Sequence, residues 1–271
     1  MTMTFSLKER YQFIQRLIRE AGDTALSFYA SRHNLYINTK RGDKQDEVSI
    51  ADVQVEQQIR NAIETTFPED GFLGEESGYT GLDKQFCWVV DPIDGTSAFL
   101  HGLHSWCISI ALFEQGEIVA GCVLDPVHNE LFHACKGQGA YLNSQPICTL
   151  QQAENWDDGL IGMGVPRKGL ATPESIMPMF QKILNEGGVY VRNGSAALTL
   201  AHVAAGRLMA YYEPYLRAWD SFAGAILVKE AGGVINNPLG EHWKTQGQYV
   251  LAAANPQIFN KLYDTYRSFS Q

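Results

Sequence analysis

The sequence predicts a mixed α+β / α/β protein in two halves, an N-terminal α+β half at 1–150 and a C-terminal α/β half at 151–271. Three patterns point to it. From Leu7 to Tyr29, apolar residues recur at helical spacing. From Trp106 to Leu142, short apolar runs alternate with turn residues, as in an antiparallel sheet. After Asp158, strand-like and helix-like segments take turns, as in α/β construction.

Taken in order, Ser6-Leu7-Lys8-Glu9 has the spacing of a capping box. Leu7, Tyr11, Ile14, Ile18, Ala21, Ala25 and Phe28 then mark one face of a helix running to about Tyr29. Leu35 to Asn38 reads as a strand, and the charged stretch Lys40 to Glu47 as a solvated hairpin or loop. Ser49-Ile50-Ala51-Asp52 repeats the capping signal, and a helix with Val53, Ile59 and Ile63 follows, stopping before Pro68. Asp52 falls in its first turn, where capping alone would account for it. Phe72-Leu73-Gly74 leads into Glu75-Glu76.

Phe86 to Val90 reads as a buried strand, followed by Asp91-Pro92-Ile93-Asp94-Gly95-Thr96 and a short helix from Ser97 to Leu100. Ile108 to Phe113 and Ile118 to Leu124 form a hairpin about Glu114-Gln115-Gly116. Leu131 to Ala134 and Ala140 to Leu142 continue the sheet, and Asn143 to Pro146 turns. In the second half, strands are expected at Leu160–Met163, Val189–Val191, Leu208–Tyr212, Val234–Ile235 and Val250–Ala253. Helices are expected at Glu174–Asn185, Ser195–Ala205, Trp219–Ala231 and after Asn255-Pro256.

Hydrophobic content of 45% and charged content of 19% are those of a globular protein. The net charge is −9 and no basic run exceeds a pair, which argues against nucleic acid as the main ligand. Cys87, Cys107, Cys122, Cys135 and Cys148 are scattered without a C-x-x-C spacing, so they read as thiols of a reducing compartment rather than a zinc site. Neither a signal-peptide pattern nor a membrane-spanning apolar run is visible, and a cytoplasmic location is expected.

The chemistry gathers around Asp91 and Asp94. Two carboxylates at the end of a rigid strand can hold a hard cation such as Mg²⁺. The amides of Gly95 and Thr96, at a helix start, can meet an anion. An ordinary Asp-Pro-x-Asp-Gly turn is the bland alternative. If the strand ending in Glu75 lies beside the one ending in Asp91, their carboxylates meet. Asp220 can cap its helix and still show an oxygen to a metal, and the helix start at Ser195-Ala196-Ala197 offers N–H groups to a substrate oxygen.

Together, Gly74-Glu75-Glu76, Asp91-Pro92-Ile93-Asp94-Gly95-Thr96, Gly194-Ser195-Ala196-Ala197 and Trp219-Asp220-x-x-x-Gly resemble the inositol monophosphatase family, over about Leu7 to Ala254. The resemblance implies a layered αβαβα sandwich of the inositol monophosphatase / fructose-1,6-bisphosphatase type, a homodimer, and Mg²⁺-dependent, lithium-sensitive hydrolysis of a small phosphomonoester. It implies that Glu75, Asp91 and the Ile93 carbonyl hold one metal and that Asp91, Asp94 and Asp220 hold a second. Glu75 helps bind a third, looser ion. Asp52 and Thr96 orient and deprotonate the attacking water. Gly95 and Thr96 hold the phosphate, with Asp94, Ala196, Glu213 and Asp220 also facing substrate.

Phe99-x-His101-Gly102 and Tyr212-Glu213 resemble the inositol branch, in which the glutamate contacts inositol hydroxyls. An exposed loop acid is the alternative for Glu213. Ser97-Ala98, His104 and Trp106 depart from that branch, and Trp106 looks more like histidinol-phosphate phosphatases. The implied activity is thus inositol-1-monophosphatase, with histidinol-phosphate phosphatase, or another sugar or nucleotide phosphatase of the family, as the alternative. Some relatives act instead by binding transcription or ribosome machinery, which leaves a non-catalytic regulatory protein as a further one.

Overall fold

The computed structural model describes residues 5–34, 37–39, 47–165, 170–240 and 242–270. Helix α1 (Leu7–Ala30) starts at the expected box: Ser6 Oγ accepts the Glu9 N–H at 3.3 Å and Glu9 Oε2 accepts the Ser6 N–H at 2.7 Å. Strands β1 (Ile37–Thr39) and β2 (Glu47–Ser49) pair antiparallel. Of the loop expected over Lys40 to Glu47, residues 40–46 lie outside the described residues, as do Leu35 and Tyr36 of the expected strand, and Glu47 instead opens β2, where it pairs with Thr39. Helix α2 (Ile50–Thr66) follows, with Ser49 and Asp52 as its box.

Strands β3 (Gly71–Gly74), β4 (Gly78–Thr80) and β5 (Phe86–Asp94) come next, then the short helix α3 (Thr96–Leu100). Strands β6 (Cys107–Glu114), β7 (Glu117–Asp125), β8 (Glu130–Cys135), β9 (Ala140–Leu142) and β10 (Gln145–Ile147) complete an eight-stranded sheet in the order β10-β9-β8-β7-β6-β5-β3-β4. Its neighbours run antiparallel except β3 and β5, which are parallel with Gly74 opposite Val90.

The rest of the chain supplies β11 (Leu160–Met163), α4 (Met177–Asn185), β12 (Val189–Val191), α5 (Ala196–Ala204), β13 (Ala210–Leu216), α6 (Ala218–Glu230), β14 (Val234–Ile235), β15 (Gln248–Ala253) and α7 (Pro256–Arg267). The five strands form a second sheet in the order β12-β11-β13-β15-β14, parallel from β12 to β13 and antiparallel on either side of β15.

Side-chain alternation stacks these elements in layers. Phe86, Trp88 and Val90 of β5 face α1 and α2, together with Ile14, Ile18, Val55 and Ile59. Cys87 and Val89 face the other way, into a core shared with Leu200, Phe222 and Ile226 of α5 and α6 and with Tyr211 and Val250 of the second sheet. Tyr212 and Leu251 point away from that core, toward Met179 and Ile183 of α4 and Ile258 and Leu262 of α7. The order is α, β, α, β, α, as the resemblance implies. Helices α5 and α6 form the middle layer, so every residue of α6 from Ser221 to Val228 is buried.

Several elements differ from expectation. Strand β5 continues past Val90 to Asp94, and β13 continues past Tyr212 through Glu213 to Leu216. Both runs cross a proline, and both carry a register shift there. A bulge accommodates a residue that has no N–H to donate. Gln145–Ile147, expected partly as turn, is the edge strand β10, where Pro146 is tolerated. The helix expected from Glu174 is instead a 3₁₀ turn at Pro173–Ser175 followed by α4. Pro178 sits in the first turn of α4, where its missing N–H costs no intrahelical bond. β4 had no sequence counterpart.

Candidate active site

The site forms where the end of β5 meets the N-termini of α2, α3, α5 and α6. In a regular strand, Asp91 and Asp94 would point to opposite faces. Opposite them on β6 stand Ser109 and Cys107, so three steps on β5 match two on its partner. That extra residue brings both carboxylates to one side. Asp91 Oδ1 accepts the Ile93 N–H at 3.0 Å, closing the bulge. Asp91 is 1% exposed and Asp94 8%.

Asp220 comes from the first turn of α6, where its Oδ2 accepts the Arg217 N–H at 2.8 Å. Asp91, Asp94 and Asp220 each offer a carboxylate oxygen, and these lie within 4.8 Å of one another. Glu75 follows β3, beside Asp91 as expected: its N–H donates to Val90 O at 3.2 Å. Burial, then the charge of Glu75, pushes Asp91 well above the usual carboxylate range. Burial, then the charges of Asp94 and Glu75, does the same to Asp220. Asp94 rises to about 6 through burial, although hydrogen bonds from Ser195 and Ala197 hold it down. Burial and crowding oppose the negative charge on these carboxylates, a cation among them would relieve it, and their all-oxygen donors suit a hard one.

Asp52 is fully buried and serves two partners. Oδ2 accepts from Ser49 N and Oγ, and Oδ1 accepts from Thr96 Oγ1 at 3.1 Å. Thr96 Oγ1 is also 3.1 Å from the Ile93 carbonyl oxygen. Burial raises Asp52 to about 6, offset by the Ser49 bonds. Gly95 sits at φ +94°, and a Cβ there would be 2.9 Å from Ser105 O, so glycine is required where the chain turns into α3.

The N-terminus of α5 meets Asp94. Its Oδ2 accepts from Ser195 Oγ at 2.6 Å and from Ala197 N at 2.7 Å, and the Ala196 amide also favours its charge. Ala196 therefore stands next to the carboxylate cluster. Glu213 is not a loop acid: it lies in β13 and is 8% exposed. It accepts a hydrogen bond from the Tyr211 hydroxyl. Burial raises it to about 7, and Asp94 adds to the rise. Gly164 makes room for it, since a Cβ there would be 1.9 Å from Glu213 Oε2. His101 bonds to Ser97 O through Nδ1 at 2.8 Å, and His104 packs against Tyr29 and His128.

Three residues near the site, Cys107, Gly164 and Glu56, were not expected from sequence, and Ser195 was expected to offer an N–H to a substrate oxygen rather than a hydroxyl to Asp94. Ser195 ties α5 to Asp94, and the Cys107 thiol lies 3.3 Å from Ser195 Oγ. Gly164 opens the space for Glu213. Glu56 lies under the Glu75 loop, its two oxygens accepting the N–H groups of Glu76 and Ser77. Glu56 had a visible signal: it falls on the buried stripe of α2 with Asp52, Val55, Ile59 and Ile63.

Comparison with known proteins agrees with this architecture. The model of the inositol monophosphatase family matches residues 6–270. The inositol-1-monophosphatase of Caulobacter vibrioides is 36% identical over 223 residues, which cover 80% of this chain and 87% of that protein. The Nus factor SuhB of Escherichia coli K12 is 36% identical over 245 residues, covering 90% of each chain. The crystal structure of the extragenic suppressor protein suhB from Bartonella henselae superposes with a TM-score of 0.84 at 35% identity, covering 93% of this chain and 96% of the other.

Proposed function

The chain belongs to the inositol monophosphatase family, and from that premise we propose that it is a Mg²⁺-dependent phosphomonoester hydrolase, an inositol-1-monophosphatase that uses water as nucleophile. The observation that carries this reading is the convergence of Asp91, Asp94 and Asp220 within 4.8 Å. Glu75, Asp91 and the Ile93 carbonyl would hold one ion, with Glu75 also available to a looser one. Asp91, Asp94 and Asp220 would hold another. When bound, Mg²⁺ compensates the crowded carboxylates and the phosphate, and acidifies a water.

The chain's own groups do the rest. A water donating to Thr96 Oγ1 is oriented by it, while the Thr96 proton is directed at Asp52 Oδ1, 3.1 Å away. Asp52 takes that proton through the same oxygen, as general base. The Gly95 and Thr96 amides hold the phosphate. Ala196 and Glu213 line the leaving-group side, where Glu213 accepts hydrogen bonds from polyol hydroxyls. In this division residues 1–150 supply most metal ligands, and 151–271 complete the site with Asp220 and Glu213. Lithium inhibition and a homodimer belong to the same reading.

A regulatory factor that acts by binding is the second reading, favoured by the relatives named Nus factor SuhB. The test is turnover of p-nitrophenyl phosphate, myo-inositol 1-phosphate, histidinol phosphate, fructose 1,6-bisphosphate and adenosine 3′,5′-bisphosphate, with and without Mg²⁺. Mg²⁺-dependent turnover that prefers the inositol ester supports the proposal. Preference for histidinol phosphate moves the function to that phosphatase, and no turnover by folded protein favours the regulatory reading.

A further inference from the structure

We propose that Glu56 is a positioning residue that sets the Glu75 carboxylate at the metal site; the inference rests on the reading of Glu75 as a ligand given above. Glu56 is 2% exposed and lies on α2 one turn after Asp52. Its Oε2 accepts the Glu76 N–H at 2.9 Å and its Oε1 accepts the Ser77 N–H at 2.7 Å. Residues 75–77 form the loop that joins β3 to β4. On the sheet side the Glu75 N–H is bonded to Val90 O, one residue before Asp91. The Glu75 backbone is therefore held between β5, which carries Asp91 and Asp94, and α2, which carries Asp52.

Gly74 makes the clamp possible. A Cβ at that position would lie 2.5 Å from the Glu56 carboxyl, so only glycine lets the carboxylate slide beneath the loop. Arg60, one further turn along α2, donates from Nη1 to Ser77 Oγ at 2.9 Å and braces the same loop. Helix α2 thus presents Asp52 to Thr96 and Glu56 to the Glu75 loop, about 6 Å apart along its axis. A residue needed only to fill this space need not be an acid, because burying a carboxylate costs free energy that a hydrocarbon of similar size does not. The acid is explained by two N–H donors that a single side chain must satisfy together. Glutamine has one acceptor oxygen, and its NH₂ would face a second N–H.

The experiment measures Mn²⁺ binding to the metal-free full chain by electron paramagnetic resonance, for wild type, Glu56→Gln, Glu75→Gln and the double variant, with melting temperatures alongside. Glu56→Gln should weaken Mn²⁺ about ten- to a hundredfold, the usual loss for a group that orients a metal ligand. Glu75→Gln should also weaken it, and Glu56→Gln should add little on top, because a residue acting through Glu75 has nothing left to position. Wild-type affinity in Glu56→Gln, or a loss that adds in full in the double variant, overturns the proposal while leaving Glu75 a ligand. Wild-type affinity in Glu75→Gln overturns the ligand reading and the inference with it. If Glu56→Gln does not fold, Gly74→Ala, which displaces the carboxylate but keeps it, should show the same loss; unchanged binding there overturns the proposal.

Discussion

Asp52 divides its carboxylate between a helix and a hydroxyl: Oδ2 accepts the Ser49 N–H at 2.8 Å, and Oδ1 accepts from Thr96 Oγ1 at 3.1 Å. The helix cap and the partner of the Thr96 hydroxyl are thus one group. Capping fixes the carboxylate plane, and the fixed plane aims Oδ1.

The first prediction concerns that pair. Thr96→Ala should lower kcat by about two orders of magnitude with KM nearly unchanged, because orienting the water matters chiefly in the transition state. Steady-state kinetics on p-nitrophenyl phosphate checks it. A change confined to KM would make Thr96 a binding residue only.

Asp94→Asn tests the carboxylate cluster. The asparagine oxygen can still accept from Ser195 Oγ and the Ala197 N–H, which keeps α5 docked. Its NH₂ then faces Asp91 and Asp220, where a cation should lie. Turnover should fall by about two orders of magnitude or more while the fold is retained. A folded variant with near-normal activity in Mg²⁺ would remove Asp94 from the ligand set.

The third prediction is a pH dependence. Asp52 and Asp94 are each raised from 3.8 to about 6 by burial. The folded, metal-free chain therefore binds these protons more tightly than the unfolded chain does. Their contribution to stability is fully present below about pH 4 and is lost as pH rises through about 6. A cation held by Asp94 competes with its proton and repels the one on nearby Asp52, so Mg²⁺ should raise the melting temperature more at pH 7.5 than at pH 5. Equal shifts at both pH values would mean that Mg²⁺ binds elsewhere. Asp94→Asn should reduce the difference.

Elements with a strong local period were legible in the sequence. The apolar stripes of α1 and α2, their capping boxes and the apolar runs of β5 to β7 are set by residues close to each other in the chain. The acids at strand ends and in first helical turns were legible for the same reason. Relations between distant segments were not. The bulge that turns Asp91 and Asp94 to one side depends on the pairing of β5 with β6. The start of α5 was expected to meet a substrate oxygen, yet Ser195 and Ala197 bond to Asp94, about a hundred residues earlier in the chain. An exposed loop acid stood as the alternative for Glu213, which precedes Pro214, whereas its pairing with Val250 of β15 keeps it in a strand and buried. Which partner a helix end or an acid meets is decided by docking, and a local pattern carries no record of it.

Glu213 gives the last prediction. It is buried beside the cluster, close enough for Asp94 to raise it, and it is held by the Tyr211 hydroxyl. Glu213→Gln keeps the shape and one acceptor but loses the charge. It should weaken myo-inositol 1-phosphate by about 1.5–3 kcal/mol, the scale of hydrogen bonds to a charged acceptor. Turnover of p-nitrophenyl phosphate, which has no polyol, should barely change, since Asp52, Thr96 and the metal carboxylates are untouched. Gly164→Ala reaches the same carboxylate by another route: the new Cβ, 1.9 Å from Glu213 Oε2, forces the side chain away. It should therefore reproduce the selectivity loss without altering the charge. The comparison to make is kcat/KM for these two substrates, and for histidinol phosphate, in wild type and both variants. Equal losses on the two substrates would put Glu213 in the catalytic scaffold instead of the polyol site. A loss confined to histidinol phosphate, with inositol phosphate poorly used throughout, would assign the carboxylate to an amine and the enzyme to that substrate.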